Sequence, residues 1–184
     1  MSKYKVSIRY STSLLEIAIS KNLLEVISAD VDFILNVFRS SSELVSVMKS
    51  PVIKGQLKIS IIDEIFKDKT NFETLNFLRF VVKKRRENYL VNILEKYLDL
   101  RDEHLCIANV DVKTAYEFDE EQSNALQANL EKKLNKQVRL NYSIDKTILG
   151  GFIARIGDTM YDASIKHQLK LLQKKFTEGG VTLN

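Results

Sequence analysis

Backbone punctuation constrains this chain more than any other feature. It has one proline, Pro51, and six glycines, five of which (Gly150, Gly151, Gly157, Gly179 and Gly180) follow residue 149. Only Gly55 interrupts the first two-thirds. Glycine and proline are the residues that permit turns and end helices. The first part is therefore built of long unbroken elements, and the last part of shorter ones joined tightly. Two regions of different architecture are expected, residues 1–104 and 105–184.

Residues 1–104 read as consecutive helices. Over 4–20 there are two apolar stripes about 100° or more apart by the helical period: Tyr4, Ile8, Leu15 and Ala18 on one, Val6, Tyr10, Leu14 and Ile17 on the other. A second helix over 22–39 carries Leu23, Leu24, Ile27, Val31, Ile34, Leu35 and Phe38. Ser40-Ser41-Ser42 is a break, and a short helix holds Leu44, Val45, Val47 and Met48. Ser50-Pro51 is predicted to open the next, as cap and first helical residue, with Ile53, Leu57, Ile61 and Ile65 along it. Thr70 or Asn71 starts a helix that is apolar almost all the way round, through Phe72, Leu75, Phe77, Leu78, Phe80, Val81 and Val82. A last one runs from about Glu87 to Glu103. Short links between helices predict an antiparallel bundle of six.

The pattern changes near residue 105. Leu105, Ile107, Val110 and Val112 form a β-prone run, and Val138, Leu140 and Tyr142 alternate as a strand does. Between them Asp119 caps a helix, with Gln122 three residues on, and Leu126, Leu130 and Leu134 along it. Residues 152–156 and 159–161 predict a hairpin around Gly157-Asp158. Ser164 caps a final helix with the apolar face Ile165, Leu169, Leu172 and Phe176, and 178–184 reads as a loose tail. The chain is thus α+β: a helical bundle, then a small domain of short strands and two helices.

Chemistry is scarce. Hydrophobic residues make up 45% and charged residues 28%, a soluble globular balance. No run approaches the roughly 18 apolar residues a membrane span needs. Met1-Ser2-Lys3-Tyr4-Lys5 leads into no continuous apolar segment, so a cytoplasmic location is expected. Cys106 is the sole cysteine, and with only His104 and His167 it cannot make a zinc site of the usual ligand count. His104 and Cys106 alternate at the expected strand start, which puts both on one side. Gly150-Gly151 lacks the neighbours of a phosphate loop and suits close backbone packing. Asp119-Glu120-Glu121 sits where acids favour a helix start. No catalytic, cofactor-binding or metal-binding residue is predicted.

The formal charge is +4, split as 17 basic against 14 acidic residues before 106 and 11 against 10 after it. Lys83-Lys84-Arg85-Arg86 is the one strong run. It falls where cations favour a helix end; the functional alternative is a basic RNA- or DNA-binding adaptor, for which four phosphate contacts without an aromatic platform are few. The surplus of apolar surface on the helices at 4–20 and 71–84 is the positive signal. Either both are central in the bundle, or an amphipathic partner helix covers the groove between them. Periodicity leaves both readings open.

Four patches resemble the delta subunit of bacterial F-type ATP synthase, the counterpart of the mitochondrial oligomycin-sensitivity-conferring protein. Ser7-Ile8-Arg9-Tyr10-Ser11-Thr12-Ser13-Leu14-Leu15-Glu16-Ile17-Ala18 is similar to that family's Ala-Arg-Arg-Tyr-Ala-x-Ala-Leu-Phe-Glu-Leu-Ala helix, with serines at three small positions. Ser50-Pro51-Val52-Ile53 with Lys58 and Ile61-Ile62 resembles its proline-started helix. Asn76-Phe77-Leu78 with Arg85-Arg86 and Leu90 resembles its Asn-Phe-Leu…Arg-x-x-Leu pair. Ile144-Asp145-Lys146-Thr147-Ile148-Leu149-Gly150-Gly151-Phe152, continued by Arg155-Ile156-Gly157-Asp158 and Asp162-Ala163-Ser164-Ile165, is the most specific patch; Lys146 stands where the family often has proline.

The resemblance implies a structural connector with no active site and no cofactor, peripheral to the cytoplasmic face of the inner membrane. It implies that residues 1–104 bind the N-terminal helix of an alpha subunit between the first and fifth helices, and that 105–184 hold the stalk's b subunits. Tyr10, Leu14, Ile17, Phe77 and Val81 are the candidates for the alpha-subunit groove. No nucleotide or nucleic-acid contact is implied.

Overall fold

A computed structural model describes residues 3–178. Eight α-helices and four β-strands lie among them, and the fold is α+β. The chain divides into two compact units, Met1–Arg101 and Asp102–Asn184.

The first unit holds α1 (Lys3–Ser20), α2 (Leu24–Ser40), α3 (Ser42–Lys49), α4 (Gly55–Phe66), α5 (Phe72–Lys83) and the start of α6 (Leu90–His104), which a 3-10 turn at Glu87–Tyr89 precedes. Its core is one apolar cluster that includes Leu14, Ile27, Ile34, Leu35, Phe66, Leu78, Val81, Ile93 and Tyr97. The inner face of α1 is made of small residues: Ser7, Ser11 and Ala18 are buried beside Leu14. Ser11 Oγ donates to the carbonyls of Ser7 and Ile8 at 2.7 and 3.0 Å, so its hydroxyl enters the core already satisfied.

Local signals set the helix ends. Ser41 accepts from the Leu44 N–H to cap α3, and Asn71 accepts from the Glu73 N–H to cap α5. A second carboxylate supports α5: buried Asp30 of α2 accepts from the Asn71 N–H at 2.8 Å and from Thr74 Oγ1 at 2.6 Å. This places a negative charge at the positive end of α5. At the other end Arg85 takes a left-handed φ of 56°. Its N–H reaches Val82 O, and the Arg86 N–H reaches Val81 O. That is a Schellman closure, so the basic run terminates a helix.

Pro51 departs from its sequence reading. It lies in a bend, and α4 begins four residues later at Gly55. The fixed φ of proline suits a turn as well as a first helical turn. The bend lets Lys58, 1% exposed, send its ammonium back to Met48 O at the end of α3 (2.8 Å) and to Glu87 Oε1 (2.7 Å). One lysine thus joins α3, α4 and the turn before α6.

In the second unit, β1 (Ile107–Thr114), β2 (Gln137–Ile144), β3 (Phe152–Ile156) and β4 (Thr159–Asp162) form a mixed sheet of order β2-β1-β3-β4. β1 and β2 are parallel, joined by α7 (Glu120–Leu134); the other pairs are antiparallel. Alternate residues Val110 and Val112 of β1, with Val138 and Ala154, pack on Leu126 and Leu130 of α7. Asp119 and Gln122 form the expected capping box, and α7 ends on left-handed Asn135. His104 closes α6 and Cys106 occupies a left-handed turn at φ 55°. They therefore do not share a strand face as their spacing suggested. Gly157 turns the β3–β4 hairpin at φ 55°.

Gly151 enters β3 at φ 78°, and a Cβ there would lie 2.4 Å from the Ala163 carbonyl oxygen. The pair Gly150-Gly151 thus lets the chain lie against the start of α8 (Ile165–Glu178). Ser164 caps α8 through the His167 N–H. Hydrogen bonds from Ser164, side chain first and then backbone N–H, hold the Asp162 carboxyl below the usual range. The apolar face predicted for this helix is present but stays in water. Residues 179–184 of the expected loose tail lie outside the described residues.

Two substitutions test this arrangement. Lys58→Met leaves Glu87 without its buried partner and is expected to cost about 3 kcal/mol in denaturant unfolding of the full chain. Gly151→Ala meets both the left-handed φ and the Ala163 carbonyl, and is expected to cost about 2 kcal/mol in the second unit's transition by calorimetry.

Candidate docking groove

The candidate groove depends on how α1 lies against α5. A ring pair joins them, and an ion pair links α5 to Lys21, the residue after α1. The Tyr10 and Phe80 rings are 6.1 Å apart, tilted by 46°. Lys21 Nζ meets Glu73 Oε1 at 2.6 Å. Position rises along α1 as it falls along α5, so the two helices are antiparallel neighbours. The Lys21–Glu73 pair is solvated and contributes little to stability; the ring pair sets the spacing.

The five sequence candidates separate by depth. Leu14 and Val81 are fully buried in the first unit's own core, and Phe77 is buried at 5% exposure. Tyr10 and Ile17 are half-buried on one flank of α1. The structure brings Tyr10 to α5 through a residue the sequence reading left out of its candidates, Phe80, which is 46% exposed. Lys84 Nζ sits 5.5 Å from the centre of the Phe80 ring, a cation–π contact at the groove's edge. The helical period could have found Phe80: it lies about 60° round from Phe77, on the side away from the core residues Leu75, Leu78 and Val82.

The part-exposed apolar side chains here are therefore Tyr10 and Ile17 on α1 and Phe80 on α5, while Leu14, Phe77 and Val81 are buried. Side chains so placed can contact the apolar face of another helix. Away from this surface, burial, opposed by a hydrogen bond to Ser28, pushes the Tyr97 hydroxyl up, and Asp145 and Asp162 are held down by hydrogen bonds from Thr147 and Ser164. Among the described residues no three His, Cys, Asp or Glu side chains converge as metal ligands. No helix among them is long and apolar enough to cross a membrane.

Comparison with known proteins gives the family. Residues 6–176 match the family described as ATP synthase delta (OSCP) subunit. The ATP synthase subunit delta of Chlorobaculum tepidum is 36% identical over 173 residues, covering 94% of this chain and 96% of that one. That of Salinibacter ruber is 36% identical over 184 residues, covering 100% and 97%. A chain in the cryo-EM structure of the Toxoplasma gondii mitochondrial ATP synthase hexamer shares the fold, with a TM-score of 0.69 at 20% identity over 93% of this chain and 97% of that one.

The class these features define is a non-catalytic assembly subunit, and the chain belongs to the ATP synthase delta (OSCP) subunit family. It is a structural subunit of the F-type synthase's peripheral stalk, serving ATP synthesis and proton transport without performing the chemistry.

Depth predicts the effect of substitution. Leu14→Asp places a charge in the core and is expected to unfold the first unit. Phe80→Asp changes a half-exposed side chain and is expected to shift stability by about 1 kcal/mol or less. Far-ultraviolet circular dichroism during urea titration of the full chain separates the two outcomes.

Proposed function

We propose that this subunit holds the catalytic head of the synthase to its peripheral stalk by helix docking at both units. The first unit, read as a six-helix antiparallel bundle, receives the amphipathic N-terminal helix of an alpha subunit between α1 and α5. The second unit holds the C-terminal ends of the stalk's b subunits. The protein works at the cytoplasmic face of the inner membrane, attached through the complex, and resists the torque the rotor exerts on the head.

The observation that carries this reading is the Tyr10–Phe80 pair with Phe80 left half open. Covering that open half would be worth about 2 kcal/mol, roughly a thirtyfold gain in affinity from one ring. The groove needs apolar partners at i, i+3, i+4 and i+7, which an amphipathic helix supplies. It offers no donor set for a nucleotide and no catalytic pair.

Fluorescence anisotropy of a labelled alpha-subunit N-terminal peptide, titrated with the full chain, tests the reading. Saturable binding is expected, weakened at least about tenfold by Phe80→Asp. Equal binding by a folded Phe80→Asp chain would place the peptide elsewhere.

A further inference from the structure

β2 lies at the edge of the sheet, with β1 as its one neighbour among the described residues. The direction of its peptide groups is fixed at both ends. The Gln137 N–H donates to Cys106 O at 3.1 Å and the Asp145 N–H to Thr114 O at 2.8 Å. Odd-numbered residues therefore face β1, and even-numbered residues face outward, because the groups alternate along a strand. Val138 follows the rule. Its N–H donates to Glu131 Oε1 at 3.2 Å, and its carbonyl accepts from Gln127 Nε2 at 3.1 Å.

Two α7 side chains thus close the start of this edge. Beyond them the N–H and C=O groups of Leu140, Tyr142 and Ile144 point away from the sheet, and no strand covers them among the described residues. An uncovered edge is a template for another strand unless proline, lysine or a bulge blunts it. β2 contains neither proline nor lysine, and its register with β1 is unbroken from Gln137 to Ile144. Tyr142 and Ile144 are 42% and 53% exposed, and the Tyr142 ring is held in place by Phe118 at 5.9 Å between centroids.

These limits select one register for a strand of the same sequence laid antiparallel. Centred on Tyr142, it sets Tyr142 opposite Tyr142 and Leu140 opposite Ile144, all outward-facing residues. Three such pairs exchange about six backbone hydrogen bonds. The added strand ends at its Ile144, so it stops short of Val138, whose groups are already taken. A centre at Asn141 would set Ile144 against Val138, and a centre at Ser143 would leave Leu140 without a strand residue opposite.

Charge agrees with the same register. It puts Arg139 across from Asp145 and Asn141 across from Ser143. Arg139 is half exposed, with Asp102 at 3.6 Å. Asp145 keeps Oδ1 on Thr147 and turns Oδ2 toward Lys113 at 4.0 Å. Aromatic meets aromatic, apolar meets apolar and cation meets anion, so the edge is complementary to itself.

We propose that the β2 edge is a self-association surface. Two copies of the free chain pair antiparallel over Leu140–Ile144, about a two-fold axis at Tyr142, and join two four-stranded sheets into one. A patch that fits itself is what a two-fold contact requires. The surface uses neither α8 nor the α1 and α5 side chains. So short an interface is of the weak class, and dimers are expected at about 100 μM.

Sedimentation equilibrium of the full chain from about 10 μM to about 1 mM tests this. Wild type should pass from monomer to dimer. Tyr142→Lys sets like charges against each other at the axis and should weaken the dimer at least about tenfold, as should Tyr142→Glu. An equimolar mixture of these two variants should regain it, because each then faces its opposite. Ile144→Pro removes an outward N–H, leaves the β1 ladder intact and should also weaken the dimer. A thermal melt confirms that each variant folds. Residue-resolved amide exchange in wild type should slow at Leu140, Tyr142 and Ile144 as concentration rises, and stay constant at Val138.

Wild type that remains monomeric to about 1 mM overturns the proposal. So does a dimer that Tyr142→Lys leaves intact, or a mixture that fails to regain it. A dimer dissolved by Leu169→Ser instead would place the contact on α8. Edge amides that slow only when another chain of the synthase is added would assign the edge to that chain. Either result ends the second-copy reading.

Discussion

The distance between α1 and the core of the first unit decides which side chains remain for a partner. Ser7, Ser11 and Ala18 occupy the inner face, and small residues let a helix approach closely. Leu14 fills the remaining depth. At this spacing Tyr10 and Ile17 fall on the flank, half-covered, and Tyr10 reaches the Phe80 ring. A bulkier residue at Ser11 would push the helix outward and open a gap. The hydroxyl of Ser11 carries no penalty for entering the core because its own helix accepts the hydrogen bond.

The α5 side is fixed by buried polar contacts rather than by further apolar area. Asp30 satisfies one backbone donor and one hydroxyl at the start of α5 and places its charge against the helix dipole. Lys58 does the corresponding work where α3 ends and α4 begins. These groups lie in low dielectric, where a missing partner is costly. They therefore specify one arrangement of helix ends more strictly than Leu or Ile contacts, which tolerate sliding. The solvated Lys21–Glu73 pair lies at one end of the same two helices and is screened by water, so it cannot fix them in this way.

Much of this architecture was legible in the sequence because its signals were local. The Asp119–Gln122 box, the Asn71 cap, the Gly157 turn and the late cluster of glycines each act within a few residues. The failures were those where local chemistry permits two outcomes. Proline at 51 fits a bend or a first helical turn, and the reach of Lys58 to Met48 needs the bend. Apolar stripes on α1 and α5 indicated surplus surface, but periodicity gives direction and not depth. It named Leu14 and Val81 as groove candidates, both of which are fully buried, and did not single out Phe80, which is half exposed. The face of α8 was read correctly as apolar; nothing in its spacing says whether the cover comes from the same chain.

That last ambiguity has a physical basis that bears on how a connector works. A helix face buried in its own unit lowers that unit's free energy, whereas one left in water is a standing cost that only a partner removes. Each docking contact proposed here involves a few half-exposed side chains, worth about 2 kcal/mol apiece before the losses of association. Neither surface alone therefore implies very tight binding. Within one assembly, however, each docking event holds the other partner nearby, and the second binding step becomes nearly intramolecular. Two moderate helix sites on one chain can then hold against a fluctuating load, while either can open briefly without the joint being lost. A catalytic site would need rigid, convergent polar groups; this function needs two separated apolar surfaces and a scaffold that keeps each of them open.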